Sequence, residues 1–88
     1  MSFRVSLSET AVRQLRRLPK EAQGRITKAL RVLEEDPHRP RPKADIRPID
    51  GTEPRKYRIR VGVYRAVYAV IGREAKVLEI FISGRGYR

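Results

Sequence analysis

Cysteine is absent from the 88 residues, which excludes a disulfide-braced scaffold, a thiol nucleophile and any thiolate-held metal. Histidine occurs once, as His38, so acid–base chemistry by a pair of histidines is excluded as well. Acids are scarce, 10 against 21 Lys and Arg, and nowhere do they gather at metal-ligand spacing. Glu34, Glu35 and Asp36 are adjacent, but consecutive helical side chains fan outward instead of converging. No metal or other cofactor is expected. No apolar run approaches the ~20 residues needed to cross a bilayer, and no charged-then-apolar leader opens the chain. The expected setting is the cytoplasm, with no membrane partner. Internal repeats and low-complexity tails are also missing.

What the chain has in excess is positive charge. Its formal net charge is +11 and its sequence pI ≈ 11.1, a balance that favours a polyanionic partner. The excess is local: thirteen basic face five acidic residues from Pro37 onward, against eight and five before it. Arginine outnumbers lysine 16 to 5, and its planar fork matches phosphate oxygens better than an ammonium does.

Phe3-Arg4-Val5 reads as a short first strand, and Ser6 with Glu9 three residues on is a capping-box signature for a helix start. That helix is expected to run to Leu18. Leu7, Ala11, Val12, Leu15 and Leu18 fall on one side, with Arg13, Arg16 and Arg17 toward the other. Pro19 separates it from a second helix with a stripe of Ala22, Ile26, Ala29, Leu30 and Leu33, which Asp36-Pro37 ends. The short connection implies an antiparallel helical hairpin. Pro37, Pro40, Pro42, Pro48 and Pro54 with Gly51 deny the next stretch a central strand. It reads as a basic surface loop with one edge segment around Ile46 and Ile49.

A strand over 55–61, a tight turn at Gly62-Val63, a strand over 64–71, a turn at Gly72-Arg73-Glu74-Ala75 and a strand over 76–83 then form a three-stranded meander. Leu78, Ile80 and Ile82 alternate with Val77, Glu79 and Phe81, giving the last strand an apolar face to cover the helices. The sum is one α+β domain over residues 1–88, in the order β-α-α-β-β-β. The helical hairpin packs on one face of a largely antiparallel sheet and leaves the other face for function.

The functional signal is concentrated in Tyr57-Arg58-Ile59-Arg60-Val61-Gly62-Val63-Tyr64-Arg65-Ala66-Val67-Tyr68. Strand alternation sends Tyr57, Ile59 and Val61 one way and Lys56, Arg58 and Arg60 the other. Three cations in a row on one face make a poor core and a good phosphate surface. Across a tight hairpin turn Arg65 comes within reach of them. Taken alone, the alternation is equally what a solubilised sheet face or a protected edge strand shows. Arg65 is the sharper signal, because an unpaired charge in a central strand is costly.

The amphipathic helical pair, the YRIRVGVYRAVY block and the terminal ISGRGYR segment together resemble the RelE/ParE toxin superfamily, and within it the small RelE-type toxins. The resemblance spans nearly the whole chain. It implies a toxin of a type II toxin–antitoxin system that enters the ribosomal A site and cuts messenger RNA. It also implies neutralisation by a cognate antitoxin, with the free toxin a monomer and the complex a hetero-oligomer. Carried over by position, Arg58 and Arg60 fall where the family has basic residues near the attacking 2′-hydroxyl, and Arg65 falls at the arginine on the scissile phosphate. Arg85 falls at the basic residue near the leaving oxygen, and Tyr87 at the tyrosine that stacks on a base or touches the backbone. Lys56, Arg41, Lys43 and Arg88 are expected as further RNA contacts.

The chain departs from the family's better-known pattern by placing arginine, not lysine, at 58 and 60. A guanidinium stays protonated below pH ~12 and cannot serve as a general base. Orientation and phosphate neutralisation are what the visible residues supply, and alignment of reactants alone is worth ~7–11 kcal/mol of a barrier. Two other readings stay open at this level: a ParE-like inhibitor of DNA gyrase, and an RNA-binding relative with weakened catalysis.

Overall fold

A 3.6-residue rhythm up to Leu33 and a two-residue rhythm after Arg55 divide the chain, and the computed structural model, which describes residues 3–49, 51 and 53–82, follows that division. The elements are β1 (Arg4–Leu7), α1 (Glu9–Arg16), α2 (Lys20–Val32), β2 (Asp45–Ile49), β3 (Lys56–Val61), β4 (Tyr64–Ile71) and β5 (Glu74–Ile82). The five strands form one sheet in the order β1-β5-β4-β3-β2. Only the β1–β5 pairing is parallel. The α+β class holds, with both helices contributing to a core on one sheet face. Ala11, Ile26, Leu30 and Leu33 meet Ile46, Ile59, Ala66, Tyr68, Ala75, Val77 and Ile80 there.

Several local expectations are corrected. The helix cap is Ser8, not Ser6: the Ser8 hydroxyl accepts from the Ala11 amide at 3.0 Å and donates to the Leu78 carbonyl at 2.9 Å. Ser6 and Leu7 belong to β1, and the Ser6 hydroxyl donates to the Glu74 carboxylate on β5. Serines two residues apart offer the same capping signal, and strand pairing with β5 takes the first of them. The first helix stops at Arg16, short of Leu18, where the Arg17 and Leu18 amides bond three residues back, to Gln14 and Leu15. The second ends at Val32, before the acids, where the Leu33, Glu34 and Glu35 amides bond three residues back, and the Arg41 guanidinium satisfies the Val32 carbonyl at 3.0 Å.

The edge segment anticipated near Ile46 is a full strand, Asp45–Ile49, and it tolerates Pro48 because β2 lies at the sheet margin. The continuous apolar face expected for Leu78, Ile80 and Ile82 does not form. Tyr68 pairs with Val77 while Val67 pairs with Glu79, so Leu78 is an extra residue with no partner on β4. This bulge reverses the inward set, which is Ala75 and Val77 before it and Ile80 after it, and Ile82 is left 45% exposed.

Candidate nucleic-acid interface

Glycine at 62 with φ 61°, followed by a residue of negative φ, gives the pattern of a two-residue II′ hairpin turn. That turn fixes Val61 opposite Tyr64 and hence Arg60 opposite Arg65. On the other side of β3, β2 sets Asp45 opposite Arg60 and Arg47 opposite Arg58. Directly opposed residues share a sheet face. The outcome is a pocket of about 190 Å³ on the face away from the helices, lined by Asp45, Arg47, Arg58, Arg60 and Arg65.

Like charges directly opposed across strands are destabilising, and this pocket holds two such pairs, Arg60 with Arg65 and Arg47 with Arg58. Stability does not explain their juxtaposition, whereas the positive field they create suits an anion. Arg65 sits on the middle strand of the sheet. Its Nε is buried and has no hydrogen-bond partner among the described residues, an unusual state for a buried polar atom. Arg60 is exposed, and its Nε donates to the Gly62 carbonyl at 3.3 Å, which draws the side chain toward the hairpin turn.

Of the residues named from sequence, Arg58, Arg60 and Arg65 are thus brought together. Arg85, Tyr87 and Arg88 lie outside the described residues. Lys56 is on the same face as Arg58, two residues along β3, but does not line the pocket. Arg41 and Lys43 border a separate groove with Val32, Glu35 and Pro42. Arg41 is engaged there with three carbonyls, those of Val32 and Asp36 at 3.0 Å each and that of Arg39 at 2.6 Å. Asp45 and Arg47 went unread because prolines dominate their surroundings. The available signal was the alternation of Asp45 and Arg47 about Ile46.

On the helix side of the sheet the aromatics form a chain. His38 stands edge-on to Phe3 and Tyr57, with centroids 5.7 and 5.4 Å away, and Tyr57 stacks on Tyr68 at 5.6 Å. The Tyr68 hydroxyl is buried and donates to the Pro37 carbonyl at 2.6 Å. Burial raises its pKa above the ordinary tyrosine value. The Asp36 carboxyl accepts the His38 amide at 2.9 Å and the Arg39 Nε at 3.4 Å. Those bonds, the His38 amide foremost, hold its pKa below the usual carboxylate value. They also supply a reason for an acid after α2: Asp36 shapes the turn that begins the loop. Among the described residues no group of three or more His, Asp or Glu gathers to hold a metal ion, and no helix is long and apolar enough to cross a membrane.

A sequence model described as the ParE toxin of type II toxin–antitoxin systems matches residues 5–86. The chain belongs to the RelE/ParE toxin superfamily. Among solved structures this toxin is similar to the archaeal RelE–RelB complex from Pyrococcus horikoshii OT3, with 34% identity over 98% of this chain and 100% of that one and a TM-score of 0.83. It is similar to the RelB–RelE antitoxin–toxin complex from Methanococcus jannaschii at 26% identity, 88% coverage of each chain and a TM-score of 0.72. The isolated E. coli RelE toxin shares the fold at 23% identity and a TM-score of 0.76, over 96% of this chain and 87% of that one. Compared by sequence alone with curated proteins, the toxin matches none. The family resemblance expected from the YRIRVGVYRAVY block thus holds for RelE and ParE together.

Proposed function

We propose that this toxin is a ribosome-dependent endoribonuclease that cuts messenger RNA in the A site by attack of the RNA's own 2′-hydroxyl on the adjacent phosphate, without a metal. The observation that carries the proposal is the four-arginine pocket, in which like charges are opposed across strands and one guanidinium nitrogen is buried without a partner among the described residues. Arg65 holds the scissile phosphate, and Arg58 and Arg60 flank the attacking oxygen. Arg85 serves the leaving oxygen and Tyr87 stacks on a base. Lys56, Arg88, Arg41 and Lys43 contact RNA further out. With the phosphate neutralised and the linkage held in line, orientation supplies ~7–11 kcal/mol, and the ribosome presents the strand in reactive shape. No cofactor takes part.

The partner that silences it is a cognate antitoxin, as RelB is found with RelE in the Pyrococcus horikoshii complex. The free toxin is a monomeric single domain in the cytoplasm, and the silenced form is a hetero-oligomer. The family model bears the ParE name, which keeps gyrase inhibition as the second reading. Incubating the purified toxin with programmed ribosomes and mapping message ends separates the two. Cuts within the A-site codon are expected, whereas intact message together with stalled gyrase overturns the proposal.

A further inference from the structure

Attack by a 2′-hydroxyl needs a group that takes its proton, and no arginine of the pocket is such a group. The imidazole of His38 lies on the Tyr57 side of β3, opposite the face of Arg58 and Arg60. The Tyr68 hydroxyl is committed to Pro37. Asp45 is different. Among the described residues it is the one carboxylate lining the pocket, it is exposed, and it makes no ion pair although Arg47, Arg58, Arg60 and Arg65 line the same pocket. An unpaired carboxylate keeps its lone pairs for a hydroxyl proton.

Position agrees with chemistry. Asp45, Arg60 and Arg65 form one row across β2, β3 and β4. Strands lie ~4.8 Å apart, so the outer two residues of the row are separated by ~10 Å at the backbone. Both side chains line the pocket. A ribose and its 3′-phosphate fit such a span, with the phosphate on Arg65 and the 2′-hydroxyl toward Asp45. Arg60, the middle member, is drawn aside toward the Gly62 carbonyl.

We infer that Asp45 is the general base of the reaction, the role that arginine at 58 and 60 leaves unfilled; the inference rests on the nuclease reading above. The Asp45 carboxylate takes the 2′-hydroxyl proton as the 2′-oxygen forms its bond to phosphorus. The bond from phosphorus to the 5′-oxygen breaks with its electron pair, and that oxygen takes a proton from water. The products are a 2′,3′-cyclic phosphate and a 5′-hydroxyl, with no change of oxidation state, and Asp45 returns its proton to solvent.

The test measures single-turnover cutting on programmed ribosomes alongside binding to ribosomes whose message carries a 2′-deoxy nucleotide at the cleavage site. Asp45→Asn removes a negative charge from an anion pocket, so it is expected to bind that uncuttable message as tightly as the wild-type chain or tighter. Its cutting is expected to fall ~10²-fold or more, the usual contribution of a general base. The limb of the pH–rate profile in which cutting rises out of acid is expected to disappear. Asp45→Glu, which folds with the same charge, should restore part of the rate and the limb. Wild-type cutting with an unchanged pH profile in Asp45→Asn overturns the inference and leaves the nuclease reading standing. Parallel loss of binding and cutting overturns it too, by making Asp45 a structural counter-ion. A wild-type chain that leaves the message intact removes both.

Discussion

At the scale of single residues, Arg65 and Tyr68 are opposite cases on one strand. The Arg65 Nε is buried with no partner among the described residues, and an unpaired buried donor subtracts from stability. Arg65→Met, which keeps the stem and discards the charge, is expected to melt at or above the wild-type temperature while cutting falls ~10²–10³-fold, the usual cost of losing a charge-stabilising donor. Thermal denaturation and message-end mapping read the two effects separately. Tyr68 is fully satisfied instead, its hydroxyl on the Pro37 carbonyl. Tyr68→Phe leaves that carbonyl unpaired in a buried place and is expected to cost about 1–3 kcal/mol in urea unfolding.

Asp36 adds a pH dependence of known sign. Its pKa is lowered in the folded chain, so its contribution to stability is present above the unfolded carboxylate's value of 3.8 and is lost as pH falls through the lower folded one. The difference in urea midpoint between wild type and Asp36→Asn should therefore be largest near neutrality and vanish in strong acid.

At the scale of elements, the start of α1 is where two local signals compete. Ser8→Ala removes both the cap to Ala11 and the link to the Leu78 carbonyl, and about 0.5–2 kcal/mol of stability should go with the cap. Ser6→Ala loses a strand-to-strand contact with Glu74 and should leave helix content by circular dichroism unchanged. The same competition shows how far the chain can be read without coordinates. Ile26, Leu30, Ile59 and Ala66 follow their period into the core, and the two-residue turn at Gly62 fixes Arg60 against Arg65. The cap at Ser8, the bulge at Leu78 and the row begun by Asp45 depend on which strand lies alongside, and no local pattern carries that. Three of the five residues lining the pocket were thus legible, namely those on one hairpin. Asp45 and Arg47 enter through a pairing across a proline-rich segment.

At the scale of the whole molecule, the charge of +11 governs encounter and the pocket governs grip. Binding to programmed ribosomes should weaken steeply with salt. Arg47→Gln is expected to lower the slope of log affinity against log salt by about 1, with the fold unchanged because Arg47 is exposed. An unaltered slope would place Arg47 away from any phosphate.

The parallel pairing of β1 with β5 sets a schedule for the molecule's own birth. Ser8, just past β1, contacts Leu78 on β5, a residue 70 positions later, and contacts so distant in sequence form late. Because β5 lies between β1 and β4 and comes last of the five strands in chain order, β1 has no neighbour in the sheet until the other four strands have been made.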